Sequence, residues 1–174
     1  MAGFAAATGD VLGVMDADMS HPPATLPAVI RALEETGADI VVASRYVPGG
    51  GTRNWPLSRA IMSKLACLLA RPLTPVRDAA SGFFILRREM LQAVAVKATG
   101  FKICLELLVR SPLRSIVELP YVFTERALGS SKMNVAEALG YLVQVWDLFR
   151  WRRRQPPRTR SYRRLAPEEV ARLV

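Results

Sequence analysis

Two short apolar stretches with a helical pattern between them most strongly constrain how this chain folds. Residues 11–15 and 39–43 are apolar almost throughout rather than alternating, which is typical of strands buried on both faces. Between them, the pattern of residues 24–35 predicts a helix, and Gly37 predicts its end. Strand, helix and strand in this order imply a crossover connection and a parallel sheet. The sequence therefore predicts an α/β fold.

The rest of the chain continues this alternation. Residues 57–70 predict a helix with an apolar stripe on one side and with Arg59 and Ser63 together on the roughly opposite face. Past Pro157 we expect a loosely ordered segment with a weak final helix from Pro167. The other predicted elements are a loop over 47–54, a strand over 82–86, helices over 87–95, 102–110 and about 134–152, and an extended segment over 116–123.

Composition and charge indicate a globular body with a basic tail. The chain is 51% hydrophobic and its net charge is +9, but residues 150–174 alone contain nine arginines and two glutamates. No stretch reaches the ~18 to 20 apolar residues of a membrane span, and the first residues lack a positively charged leader. Cys67 and Cys104 lie in apolar helical patterns without metal-ligand spacing, which favours buried thiols in a reducing compartment.

The motif Asp16-Ala17-Asp18 is the first candidate for chemistry, because it directly follows a buried strand. Ligands of open α/β sheets bind at the carboxyl ends of the strands. Two hard oxygen donors at that edge suit Mg²⁺ or Mn²⁺ that holds a diphosphate. The alternative is a loop whose aspartates cap the next helix. His21 could contact a metal or a phosphate, although a structural histidine in the Pro-Pro turn is the favoured interpretation.

Cationic side chains farther along the chain suggest anion binding. Arg45 follows the second buried strand, and with Arg59 and Ser63 it could form an anion pocket rather than an ordinary basic surface. The segment 124–132 contains Arg126, Lys132 and a glycine, and it could fold over a phosphate or be only a solvated connection.

The predicted helix over 134–152 places aromatic residues beside the basic tail. Leu142, Trp146 and Phe149 fall on one stripe, and arginines follow. Aromatics beside a basic cluster fit the surface of an anionic membrane. A helix packed on the body with a solvated basic end is equally compatible, and nucleic acid is a third option for which the tail shows no recognition motif.

Several stretches, in order and in spacing, resemble the dolichol-phosphate mannose synthases, the polyprenyl-phosphate glycosyltransferases of glycosyltransferase family 2. The resemblance covers about residues 3–135. The matching stretches are 15–23 (MDADMSHPP), 37–46 (GADIVVASRY), 54–56 (NWP), 78–84 (DAASGFF), 100–102 (GFK) with 105–108 (LELL), and 125–126 (ER) with 129–132 (GSSK).

The resemblance implies a Rossmann-like GT-A fold with a mostly parallel sheet flanked by helices. It implies a partial glycosyltransferase domain over 1–135, followed by an amphipathic helix and basic tail over 136–174. The implied reaction is inverting transfer of mannose from GDP-mannose to a polyprenyl phosphate. A membrane surface would be contacted through the tail, nucleic acid is not expected, and the implied location is cytoplasmic, at the inner face of the membrane. The implied site residues are Asp16 and Asp18 for catalysis, these two with Ser20 for Mg²⁺ or Mn²⁺, Arg45, Arg59 and Ser63 for the acceptor phosphate, and Arg126 and Lys132 for closure over the phosphates.

Three departures from the family pattern qualify this expectation. Ser20 stands where relatives often have Gln, and Ala79 stands where they have Pro. The family's first strands and helices, which bind the nucleoside, would precede residue 1, so we expect a truncated domain with an exposed sheet edge. Two alternatives stay open: a catalytically inactive fragment, and the same reaction with a glucose or N-acetylglucosamine donor. Glu106 could orient groups near the site, but packing at the edge of the core is its favoured role.

Overall fold

A computed structural model describes residues 2–92, 102–124 and 135–174. Its strands are β1 (Val11–Val14), β2 (Ile40–Ser44), β3 (Gly51–Arg53), β4 (Phe84–Arg87), β5 (Ser115–Pro120), β6 (Val122–Thr124) and β7 (Ser161–Arg164). Its α-helices are α1 (Ala2–Ala6), α2 (Leu26–Thr36), α3 (Leu57–Ala70), α4 (Glu89–Gln92), α5 (Ile103–Arg110), α6 (Val135–Arg153) and α7 (Pro167–Arg172).

Five of the described strands form a central sheet in the order β1-β4-β2-β5-β7. Strand β4 runs antiparallel to both of its neighbours, whereas β2 with β5 and β5 with β7 are parallel pairs. Four of the five strands therefore point the same way, as the expected mostly parallel sheet requires. Strands β1 and β2 are parallel, in agreement with the strand–helix–strand order, but β4 lies between them. Strand β1 is at the edge of this sheet, and β3 and β6 form a separate parallel pair.

Strand β2 shows how the sheet separates two apolar cores. Because side chains alternate along a strand, Ile40 and Val42 pack in the core that contains residues of α5 and α6. Val41 and Ala43 pack in the core on the other face, with α2 and Leu173. Both faces of the sheet are covered, which explains why its strands are apolar without alternation.

Helix α3 separates its apolar and polar sides as the sequence predicts, but it presents its apolar stripe outward. Only Cys67 and Ala70 of this helix are buried. The stripe residues are about half exposed or more: Ile61, Leu65, Leu68 and Leu69. The opposite face of α3, which carries Arg59 and Ser63, lines a cavity instead.

The basic tail is ordered, and the expectation of a loose segment after Pro157 was wrong. Strand β7 pairs in parallel with β5 along its whole length. Leu165 and Leu173 are buried in the core beside α2. The final helix begins at Pro167 as predicted. The division of the chain at residue 135 stays a prediction, but the central sheet extends beyond it.

Candidate active site

A cavity of about 320 Å³ opens at one edge of the central sheet. Asp16 follows β1, Arg45 follows β2 directly, and Gly82 precedes the antiparallel strand β4, so all three meet at the same edge. This edge is formed by the carboxyl ends of the parallel strands, where α/β sheets bind their ligands. The polar and charged side chains that line the cavity are Asp16, His21, Arg45, Arg59, Ser63, Ser81, Lys102 and Glu137.

The carboxylate of Asp16 packs directly on Gly82. Its side chain is 57% exposed, yet a Cβ atom added at Gly82 would lie 2.6 Å from its Oδ2 atom and 3.1 Å from its Cγ atom. Because real Cβ atoms essentially never approach so closely, a larger residue at Gly82 would displace this carboxylate. Gly82 belongs to the fourth matching stretch of sequence and Asp16 to the first, so this contact joins the two stretches.

His21 contacts the Asp16 carboxylate from a buried position. The His21 side chain is 1% exposed, and its Nε2 atom lies 3.2 Å from Asp16 Oδ2. Phe83, Tyr121 and Phe123 surround the imidazole ring with centroid separations of 5.1–5.5 Å. Since a carboxylate only accepts hydrogen bonds, Nε2 carries the proton that it shares with Asp16. The arrangement agrees with the favoured interpretation of a structural histidine.

Asp18 is fixed by a tight local turn. Its Oδ1 atom accepts hydrogen bonds from the backbone N–H of Ser20, at 3.1 Å, and from the Ser20 hydroxyl. Met19 between them has a φ of 62°, which is uncommon for a residue other than glycine. Ser20 is fully buried. It therefore positions Asp18, and its assignment as a third metal ligand stays a prediction.

Arg45 is committed to a buried ion pair with Asp78. Its Nε and Nη2 atoms each donate to one carboxylate oxygen of Asp78 at 2.7 Å, and its backbone N–H donates to Oδ2 at 2.9 Å. Burial alone would lower the pKa of Arg45, but the charge and hydrogen bonds of Asp78 outweigh it and raise the pKa. The fork geometry fixes the guanidinium at the wall of the cavity. The predicted anion-pocket residue thus has a structural partner that the sequence did not reveal.

Arg59 and Ser63 lie on the cavity face of α3. The guanidinium carbon of Arg59 lies 4.2 Å from the ring centroid of Trp55, close enough for a cation–π contact. Ser63 follows one helical turn later and lines the same cavity. The structure therefore brings Arg45, Arg59 and Ser63 around one cavity with Asp16, as the anion-pocket hypothesis requires.

A buried carboxylate, Glu118 on β5, organises the turn that contains Asp78. Glu118 is fully buried, and it accepts hydrogen bonds from the backbone N–H groups of Arg77, at 2.8 Å, and Asp78, at 3.0 Å. The hydroxyl of Tyr162 on β7 also donates to it. Burial, the hydrogen bond to Glu118 and the charge of Glu118 all raise the pKa of Tyr162. The tail is thus connected through Glu118 and Asp78 to Arg45.

The remaining sequence candidates are placed as follows. Arg126 and Lys132 lie outside the described residues. Glu106 is nearly buried, and its Oε1 atom lies 3.2 Å from Nε of Arg110, which agrees with a packing role at the core. Cys67 and Cys104 are buried free thiols, as predicted.

Asp16 and Asp18 form a limited set of donors for a metal ion. No group of three or more His, Cys, Asp or Glu side chains is arranged to hold a metal ion among the described residues. Mg²⁺ often keeps several waters and binds one or two carboxylates together with substrate phosphates. The exposed carboxylate of Asp16 on its glycine support, beside the turn of Asp18, could hold a metal that arrives with a diphosphate.

Comparison with known proteins gives a consistent picture. The pattern of glycosyl transferase family 2 matches residues 1–95. The chain is 41% identical over 153 residues to dolichol-phosphate mannosyltransferase of Pyrococcus furiosus, which covers 86% of this chain and 43% of the relative. It is 38% identical over 156 residues to dolichol-phosphate mannosyltransferase of Saccharomyces cerevisiae, and this match covers 84% of the chain and 58% of the relative. It is 41% identical over 148 residues to polyprenol monophosphomannose synthase of Mycolicibacterium smegmatis, and this match covers 79% of the chain and 55% of the relative. The chain thus spans about half the length of the curated relatives that it matches.

Proposed function

Because the chain belongs to glycosyl transferase family 2, we propose that it is part of an enzyme that transfers mannose from GDP-mannose to a polyprenyl phosphate. One observation carries the proposal: the exposed carboxylate of Asp16 and the cationic groups of Arg45 and Arg59 line the same cavity. A carboxylate suits a metal-bound donor diphosphate, and the guanidinium groups suit an acceptor phosphate. The names of the relatives, which include dolichol-phosphate mannosyltransferase, agree with these partners.

The side chains of this cavity fit an inverting displacement without a strong general base. The acceptor phosphate is already ionised, so its oxygen can attack the anomeric carbon without losing a proton. In this proposal Arg45 and Arg59 orient that phosphate, while Asp16 and Asp18 hold Mg²⁺ or Mn²⁺ with the diphosphate. When bound, the metal would offset the negative charge that develops on the leaving diphosphate. The ion pair with Asp78 orients Arg45, and the hydrogen bond with His21 orients Asp16, which would favour a fixed approach of the two substrates.

We further propose that the chain lies on the cytoplasmic face of a membrane. The stripe of α3 is exposed, and α6 also exposes apolar residues, among them Trp146 at 62%. Tyr141 of α6 donates a hydrogen bond to the carbonyl of Ala66 at 2.6 Å, so these two helices lie side by side. The arginines near the end of α6 suit anionic head groups. None of the described helices is both long and apolar enough to cross a bilayer.

The direct test is an assay with Mn²⁺, a polyprenyl phosphate and one of three donors: GDP-mannose, UDP-glucose or UDP-N-acetylglucosamine. We expect a mannosyl lipid, which Asp18→Ala should abolish and which Arg59→Gln should reduce. Arg114→Gln, an exposed arginine directly before β5 and so at the opposite edge of the sheet from the site, is the control for Arg59 and should retain activity. Product from another donor would change the sugar assignment. Binding of GDP with Mn²⁺ but no product from any donor would favour the inactive fragment.

A further inference from the structure

A second and larger cavity, of about 760 Å³, shares only Arg45 with the cavity of Asp16 among the described lining residues. It lies between the segment that follows β2, the second half of α3, and β7, and we call it the basic groove. None of its described lining residues is Asp, Glu or His. Its cationic lining residues are Arg45, Lys64, Arg71, Arg77 and Arg164.

The cations of the basic groove project from an ordered backbone. The N–H of Arg77 donates to the buried carboxylate of Glu118 at 2.8 Å. Arg164 stands opposite Glu118 in the β5–β7 register, and the next N–H, that of Leu165, donates to the Glu118 carbonyl at 2.9 Å. Glu118 therefore fixes the backbone at or beside two cationic residues that are far apart in sequence and that both line the groove. The basic groove is a product of the fold, because without β7 it would lack Arg164.

The charges of the groove are not balanced by carboxylates within it. Arg45 is paired with Asp78, but Lys64, Arg77 and Arg164 form no ion pair within the described residues. Burial raises the pKa of Tyr162, and the positive charges of Arg164 and Arg77 both oppose that rise. A cleft lined by charges of one sign concentrates the opposite charge. The ligand class that such a cleft suits is a phosphate ester, whose several oxygens can accept from more than one cation.

The surroundings of the groove indicate which kind of molecule carries that phosphate. Leu68, which lines the groove, is 64% exposed and belongs to the apolar stripe of α3. If the stripe rests on a membrane, as the proposed function states, the groove opens at the depth of the lipid head groups. We propose that the basic groove binds the phosphate head group of an anionic membrane lipid, at a site that shares only Arg45 with the cavity of Asp16. This inference rests on the membrane part of the proposed function.

The test compares two charge-matched double variants by vesicle sedimentation. Arg77→Gln with Arg164→Gln removes two cations of the groove, whereas Arg114→Gln with Arg172→Gln removes two exposed arginines that do not line it. Vesicles contain phosphatidylcholine alone or with phosphatidylglycerol, and EDTA prevents metal bridging at Asp16 and Asp18. A basic residue near an anionic surface contributes about fivefold in affinity. We therefore expect the groove variant to bind anionic vesicles roughly 30-fold more weakly, the control variant to stay close to the wild type, and all three to bind neutral vesicles alike.

Three outcomes would overturn the inference. The wild-type chain could fail to prefer anionic vesicles, or both double variants could lose the same affinity, which would show only a general effect of net charge. In a third arm, inorganic pyrophosphate replaces the vesicles. If the groove variant loses affinity for pyrophosphate but not for vesicles, the ligand is a free phosphate compound rather than a lipid. Because EDTA is present throughout, failure of mannosyl transfer does not affect this result. Groove-dependent binding to anionic vesicles without any binding to neutral vesicles would support the groove and would count against the apolar contact of α3 in the proposed function.

Discussion

Gly82 determines how closely the Asp16 carboxylate approaches the backbone of the site. Gly82→Ala would place a Cβ atom 2.6 Å from Asp16 Oδ2, so the carboxylate must move. Because residues that orient a metal ligand typically contribute about 10- to 100-fold to metal affinity, we expect Mn²⁺-dependent GDP binding to weaken by about tenfold or more in a calorimetric titration. Gly3→Ala, where the added Cβ meets nothing within 4 Å, is the control. Equal affinity in both variants would contradict the position of Asp16.

Asp78 neutralises a buried arginine, and its loss should be costly. Asp78→Asn would leave the guanidinium of Arg45 without its counter-charge in a buried position. Removing one partner of a buried pair lowers the free energy of unfolding by about 3–5 kcal/mol, which urea unfolding can measure. Glu169→Gln breaks the exposed pair with Arg163, and we expect no comparable loss there because water screens that pair. Similar stabilities of the two variants would show that the Arg45–Asp78 pair does not form.

The residues of the candidate site differ in how far the sequence could reveal them. Asp16 and Arg45 were recognised as candidates because each follows a predicted buried strand, and ligands of α/β sheets bind where parallel strands end. Glu118 gave no such signal, since it lies within an apolar strand and its partners at Arg77 and Asp78 are about forty residues away. A buried carboxylate becomes recognisable only when the fold shows which N–H groups it satisfies.

Strand β7 and the residues after it can be tested as structural elements through Leu165. This side chain is 3% exposed in the core beside α2. Leu165→Ala should lower the free energy of unfolding by about 2–5 kcal/mol, because it removes buried methyl groups and leaves a cavity. Leu142→Ala, on the exposed side of α6, should have a small effect. If urea unfolding gives the same midpoint and slope for both variants, the tail does not pack on the sheet.

Elements were predictable where local patterns decide them and not where distant contacts do. Helix α2 ends at Thr36 because Gly37 adopts the left-handed conformation with a φ of 64°, which the sequence signals directly. The tail looked loose because prolines and arginines dominate its composition, whereas pairing with β5 gives it a structure. The outward orientation of the α3 stripe could not be predicted either, because periodicity shows that a helix has two sides but not which side faces the core.

At the scale of the whole molecule, the proposed acceptor has two different surfaces available to it, a charged cavity and an exposed apolar helix face. The candidate active site opens at one edge of the sheet, while α3 contributes to its wall with one face and exposes apolar residues on the other. A polyprenyl phosphate has a charged head and an apolar chain, so an enzyme that binds it benefits from a charged cavity beside an apolar surface. The orientation of α3 provides both within one helix. Contiguous exposed apolar patches often mark sites of interaction with a protein or a membrane.

This reasoning predicts that the apolar stripe of α3 drives binding to neutral membranes. Ile61→Ser with Leu65→Ser should weaken association with phosphatidylcholine vesicles by about tenfold or more, because each such side chain contributes about 1.5–3 kcal/mol when it leaves water. Ile30→Ser with Val174→Ser changes two exposed apolar residues elsewhere and should have little effect. The loss should persist at high salt, because salt screens charges but does not weaken apolar contacts, whereas a defect of the basic groove should show only at low salt. If the α3 variant binds vesicles like its control but no longer self-associates, the stripe is an interface between two copies of the chain and the membrane proposal is wrong.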